Sequence, residues 1–354
     1  MFKTAATIRQ ERQEAKAMER KFQIENDFIH MINRFDSFPE VRDPQIDLYL
    51  LKIKMEFLEQ EINKPKERFI GFTPSSASSC KRELYHKLRG DRRDKEMQQP
   101  HQTRWKELGT LTGEMMQRKL LFIQKHYKRL TGEEPPFKPL FVKMNGLMVP
   151  AWEGFVSKKV TYKHGAWDIP IQGQPDGILL YKDGKKIGIE FKTKQTSYNK
   201  TSDFSMGGPQ EDHIKQCHAY GKLYDLDEYL IVYVNLAKKS WELTEEEQIK
   251  YQDLRVFYNK INEDDKNELL NEFAEVIKAV ENNQPPKIDV DKWAFNNFKR
   301  SIALSVTDEE IRELELEFEK YLQLVNPSTK EKRYIENLES VLTYIKEVKE
   351  NEKN

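Results

Sequence analysis

Along the 354 residues the spacing of apolar positions is helical at both ends and strand-like in the middle. From Thr7 to Met31 the chain is mainly Arg, Gln, Glu, Ala and Lys, good helix formers, and a first helix is expected there. Asp36-Ser37-Phe38-Pro39 breaks it. A second helix is expected from about Pro44 to Ile62, where Leu48, Leu51, Ile53, Met55, Leu58 and Ile62 form an uneven helical stripe; Asn63-Lys64-Pro65 ends it. Ser75 or Ser76 is placed to cap a short helix with Cys80, Leu84, Tyr85 and Leu88 on one side, closed by Gly90. A longer helix, about Gln102 to Thr131, carries Trp105, Leu108, Leu111, Met115, Met116, Leu120, Leu121 and Ile123.

Between residues 139 and 194 the pattern turns to strands, as in Leu140-Phe141-Val142 and Ile187-Gly188-Ile189. A helix from Gln210 through Tyr224 leads to a strand, Glu228 to Asn235, apolar enough to be buried on both faces. Beyond Trp241 the expectation is helix again. Thr244 with Glu247 and Thr307 with Glu310 fit capping boxes, and Leu338, Val341, Leu342, Ile345 and Val348 recur at helical spacing. The reading is a helical arm (1–68), a main domain with a small mixed central sheet flanked by helices (69–304), and a helical hairpin (305–354). The expected class is α/β in the broad, α+β sense, with N- and C-terminal helical extensions.

Charge narrows the function. The chain has 59 Lys and Arg against 59 Asp and Glu, a formal net charge of zero. That argues against a polybasic nucleic-acid coat but not against positive charge concentrated in one cleft. Two cysteines, Cys80 and Cys217, cannot build a disulfide framework or a four-thiolate metal site. No apolar run approaches the ~18 residues of a membrane span, and the first residues lack the apolar core of a secretory signal. A soluble, cytoplasmic protein is expected, in the host cytoplasm if a phage encodes it. The histidines are scattered, so zinc is not expected, and no G-x-x-x-x-G-K-[ST] loop marks an NTP-driven motor.

The informative stretch is Gly173-Gln-Pro-Asp176 through Glu190-Phe191-Lys192-Thr-Lys194. Asp183-Gly184 between two apolar runs signals a hairpin. On its outgoing strand Glu190 and Lys192 share one face and Phe191 points to the other. Register decides whether Asp176 joins them. A two-residue turn would set Asp176 against Phe191. A three-residue loop with Gly184 left-handed pairs 181 with 185 and sets Asp176 beside Glu190; this bulged hairpin, or a compensating bulge near Pro175, is the expectation. Two carboxylates beside a lysine suit divalent-metal phosphodiester hydrolysis, since Mg²⁺ prefers oxygen ligands and keeps several waters.

Pro175-Asp176, Glu190 and Lys192 resemble the PD-(D/E)xK nuclease superfamily, and the flanking motifs resemble its RecB-like exonuclease branch. Gln216-Cys-His-Ala-Tyr220 is similar to that branch's Q-x-x-x-Y, whose i, i+4 spacing puts both side chains on one helical face. Ser78, Cys80, Arg82 and Tyr85 resemble its opening motif, and Gly109 to Gln117 its next helix. Where many members have a metal-binding histidine this chain has Gly113, and Glu114 stands next to it as the replacement ligand. The resemblance covers about residues 72–240. It implies a restriction-endonuclease-like core and a DNA nuclease, most simply an exonuclease of recombination, repair or phage DNA processing. It further implies Mg²⁺ or Mn²⁺ held by Asp176, Glu190, the Phe191 carbonyl and Glu114, with Lys192 activating water. Arg82, Lys194, Gln216 and Tyr220 would contact DNA. Some members carry an iron–sulfur cluster; with no cysteine in residues 284–301 to join Cys80, none is expected here. A recombinase, single-strand-binding or helicase partner would use the terminal helices, and no membrane partner is expected. The alternatives are an endonuclease with the same core, or a silent nucleic-acid-binding or assembly protein.

Basic residues cluster in three places: Lys81 to Lys95, Arg118 to Arg129 on the long helix, and Lys182 to Lys200. Were they to converge they would form a phosphate-tracking groove, with Arg82 and Lys194 nearest the chemistry.

Overall fold

The computed structural model describes residues 5–65, 68–95 and 99–353. Helices α1 (Ala5–Asp36), α2 (Pro44–Asn63), α3 (Lys81–Leu88) and α4 (Pro100–Thr131) come first. Strands β1 (Phe137–Pro139), β2 (Phe141–Met144), β3 (Leu147–Pro150), β4 (Lys158–His164), β5 (Trp167–Gly173), β6 (Gly177–Tyr181) and β7 (Lys186–Lys194) follow. Then come α5 (Glu211–Tyr224), β8 (Glu228–Asn235), α6 (Glu245–Lys250), β9 (Leu254–Lys260), α7 (Glu263–Glu281), α8 (Lys299–Ser305), α9 (Asp308–Leu322) and α10 (Thr329–Lys353). They fold as two units. One holds residues 5–65, 99–159 and 172–266, the other 68–95, 160–171 and 267–353.

The first unit is built on a mixed five-stranded sheet in the order β1-β6-β7-β8-β9. Only β7 and β8 run parallel, and α5 lies in the crossover between them. On one face Phe28 and Met31 of α1 and Met116, Leu120 and Ile123 of α4 pack on Leu179, Ile189, Phe191, Leu230 and Val232. On the other, Cys217 and Tyr220 of α5 pack on Ile178, Tyr229, Ile231 and Tyr233. Helices on both faces explain why every residue of β8 is buried, as its apolar run predicts. Mixed α/β architecture with a helix-flanked central sheet is therefore the fold class. Helix α1 is integral to the core, with Ile24, Phe28 and Met31 fully buried.

Three local expectations change. The segment beyond Trp241 includes β9, an antiparallel edge strand on β8 carried by Val256-Phe257-Tyr258. Pro74–Ser76 forms only a 3₁₀ turn, and Cys80 occupies the N-cap position of α3 rather than its flank. In α2, capped by the Asp43 carboxylate accepting from Gln45 and Ile46, only Ile46 and Ile53 are buried. Leu48, Leu51, Met55, Leu58 and Ile62 of its stripe stay exposed.

In the second unit α9 and α10 form the expected hairpin. Leu338, Val341 and Ile345 pack on Ile302 and Ala303 of α8 and on Val290 and Trp293. Among the described residues no helix is long and apolar enough to cross a membrane.

Candidate active site

The β6–β7 hairpin sets the register. Gly184, at φ +84°, closes a three-residue loop: its N–H donates to the Tyr181 carbonyl (2.8 Å) and the Tyr181 N–H to the Lys185 carbonyl (2.9 Å). Glycine occupies this left-handed position without the clash a Cβ brings. Gly177 pairs with Ile189 and Leu179 with Ile187, so one further step places Asp176 beside Glu190. Asp176 Oδ2 accepts the Phe191 backbone N–H at 2.7 Å. This is the bulged register argued above, and it puts both carboxylates on one side.

Glu190 is 2% exposed. Its Oε1 accepts from Lys192 Nζ (2.7 Å) and from Gln216 Nε2 (2.7 Å), while Gln216 Oε1 accepts from Lys192 Nζ (2.9 Å). Gln216 thus closes a three-membered polar ring and fixes Lys192 with one of its three donors to spare. Glu190 Oε2 is buried and has no hydrogen-bond partner among the described residues. An orphaned, buried carboxyl oxygen is expensive unless something binds it. Burial holds both carboxyls above the usual carboxylate range; for Asp176 the Glu190 charge adds to the shift, while for Glu190 Lys192 opposes it.

Helix α5 supports this arrangement from behind. Tyr220 donates to the Gln174 carbonyl (2.6 Å) and Tyr224 to the Gly173 carbonyl (2.8 Å), tying down the residues that lead into Pro175-Asp176. From α4, Gln117 Nε2 donates to the Asp176 carbonyl at 2.8 Å. Asp176, Glu190, Phe191 and Lys192 line one side of a cavity of about 810 Å³. Leu50, Leu51, Phe57 and Leu58 of α2 contribute an apolar wall, and Gly109, Gly113 and Glu114 of α4 another.

Several expected roles change. Gln216 and Tyr220, expected to contact DNA and support the site, are buried, and their side chains bond to Lys192, Glu190 and the Gln174 carbonyl. Arg82 is not a DNA contact. It is fully buried in the second unit, its guanidinium bonded to Glu310, Ser305 and the Pro286 carbonyl. Glu114 faces the cavity but pairs with Lys54 at 3.1 Å. Four of the five basic residues at 118–129 on α4 also pair internally: Arg118 with Asp47, Lys119 with Asp36, Lys125 with Asp43 and Lys128 with Glu134. Lys194 remains half-exposed beyond Lys192 on the same strand face, near Gln210 Oε1 (3.3 Å) and over the Tyr233 ring. Burial, and then Lys200 and Lys192, lower its pKa. Cys80 is buried, its sulfur accepting the Asp289 N–H and its pKa raised by burial.

Sequence reasoning missed Glu153, Gln117, Gln174 and Tyr224. Tyr224 continues the i, i+4 spacing from Gln216 and Tyr220, a usable signal. Glu153 sits in a loop with no spacing to mark it, yet it lines the same cavity. Among the described residues no three His, Cys, Asp or Glu side chains already converge as a metal cage.

No family model matches the chain, and no curated protein does. Solved structures do align. The alkaline exonuclease LHK-Exo from Laribacter hongkongensis is 13% identical, with 61% of this chain and 91% of that one covered and a TM-score of 0.34. A phage-related exonuclease from Haemophilus somnus 129PT is 16% identical, with 38% and 62% covered and a TM-score of 0.23. Likeness this low does not transfer an activity, and the functional reading rests on the site itself.

Proposed function

We propose that the cavity is the active centre of a divalent-metal-dependent DNA nuclease of the PD-(D/E)xK type, acting as an exonuclease in recombination, repair or phage DNA processing. The observation that carries this is the placement of Asp176, Glu190 and Lys192 together on one cavity wall, with Glu190 Oε2 left unpaired. Hard oxygen donors with no thiolate or imidazole among them fit Mg²⁺ or Mn²⁺. Asp176, Glu190 and the Phe191 carbonyl are the proposed holders. When bound, the cation neutralises charge at the scissile phosphate and lowers the pKa of water.

The chain's own residues do the rest. Lys192, held by Glu190 and Gln216, directs its remaining N–H toward a water or a phosphate oxygen. Gln117, Tyr220 and Tyr224 hold the backbone around Asp176, so the geometry is set before substrate arrives. Lys194, half-exposed beyond Lys192 on the same strand face, is the proposed DNA contact. The exposed Leu316, Leu322 and Val325 in and after α9 are where a recombinase, single-strand-binding or helicase partner would dock.

End-labelled linear DNA and closed circular DNA, each incubated with Mg²⁺ and with EDTA, test the reading. Mg²⁺-dependent loss of linear DNA with circles spared is expected. Cutting of circles would favour the endonuclease, and no digestion by folded protein would favour the silent binding protein.

A further inference from the structure

We infer that Glu153, rather than Glu114, is the third carboxylate of the metal centre. The inference rests on the metal-dependent reading above. Its first support is where the backbone puts the loop. The Ala151 carbonyl accepts the Ile178 N–H at 2.9 Å, and the Gly154 N–H donates to Gln174 Oε1 at 3.1 Å. Residues 151–154 are therefore tethered on both sides of Pro175-Asp176. Trp152 and Phe155 are buried and anchor the loop, and the Trp152 carbonyl accepts from both the Phe155 and Val156 N–H groups. Between these two aromatic anchors Glu153 is exposed on the cavity wall.

The second support is what each acid already binds. Glu114 is paired with Lys54. Glu153 makes no hydrogen bond or ion pair among the described residues. Glu190 lines the same cavity, and its Oε2 is buried and unpartnered. When ionised, Asp176, Glu190 and Glu153 carry three negative charges against the single positive charge of Lys192. The excess of two matches one divalent cation, and without a cation the three carboxylates repel one another.

Calorimetric titration of Mn²⁺ alone into the full-length protein tests this without any activity readout. Wild type and the variants Glu153→Gln, Glu114→Gln and Asp176→Asn are compared. The expected result is binding by wild type, loss with Asp176→Asn, at least about tenfold weaker binding with Glu153→Gln, and less than about twofold change with Glu114→Gln. Wild-type affinity in Glu153→Gln together with loss in Asp176→Asn overturns the Glu153 assignment and leaves the nuclease reading standing. No binding by folded wild type overturns both. Glu153 is exposed and Gln has its shape, so misfolding does not mimic the expected result.

Discussion

At Glu190 a buried carboxylate gives one oxygen to Lys192 and Gln216 and leaves the other bare. The raised pKa values of Glu190 and Asp176 have a sign that can be measured. A carboxyl raised in the folded state binds more protons there than in the unfolded chain. Its contribution to stability is present below the ordinary value of about 4 and is lost as pH rises through the folded value. The metal-free protein should therefore melt at higher temperature in mildly acidic than in neutral buffer, as far as this pair decides. Mn²⁺ affinity should run the opposite way, strengthening with pH and releasing protons on binding. Calorimetry in buffers of different ionisation enthalpy reads that release; its absence would mean the pair is already ionised. For Gln216→Ala, which removes the polar ring's third member, a loss of about 1–3 kcal/mol of stability is expected in urea titration. Mn²⁺ binding should persist but weaken.

Among the elements, the β6–β7 hairpin is where the sequence was most legible. Asp183-Gly184 marked the turn and the alternation marked the side on which Glu190 and Lys192 fall; the three-residue loop followed from requiring Asp176 on that side, with a bulge near Pro175 as the alternative, and the structure forms the loop. Strand β8 and helices α4, α5, α9 and α10 were legible for a related reason, long or continuous apolar patterning. Strand β9 was not, because its short run lies between two helical patterns and gains its pairing only from β8. Neither was the fate of α2's stripe: periodicity reports that a face is apolar, not whether anything covers it. That Arg82 and Gln216 are buried was not legible either, since a polar side chain near a motif can face inward or outward with the same spacing. Glu153 carried no pattern at all. Gly188 provides an element-scale test. A Cβ there would run into the Tyr229 ring on the neighbouring strand β8. Gly188→Ala should cost about 1–3 kcal/mol by overpacking, seen as a lower urea midpoint, and should disturb the strand that carries Glu190. An unchanged midpoint would mean that β7 and β8 adjust without strain.

For the whole molecule, zero net charge argued against a polybasic coat and left room for positive charge concentrated in one cleft. Several of the basic residues that would build such a cleft are paired with acids. Arg118, Lys119, Lys125 and Lys128 meet acids of the same unit, and Arg82 meets Glu310 inside the second. Arg82→Ala is accordingly expected to act on stability. Breaking a buried ion pair costs about 3–5 kcal/mol, and the lower end applies because Glu310 keeps partial contact with water. Thermal melting should show the loss. A variant that melts like wild type but binds DNA less well would restore the DNA-contact role.

The most direct test of the central claim is digestion of end-labelled linear DNA by Asp176→Asn, with circular dichroism confirming the fold. The site described here predicts Mg²⁺-dependent digestion by wild type and at least about a hundredfold loss in the folded variant. Digestion at the wild-type rate by Asp176→Asn would contradict it and move the chemistry elsewhere.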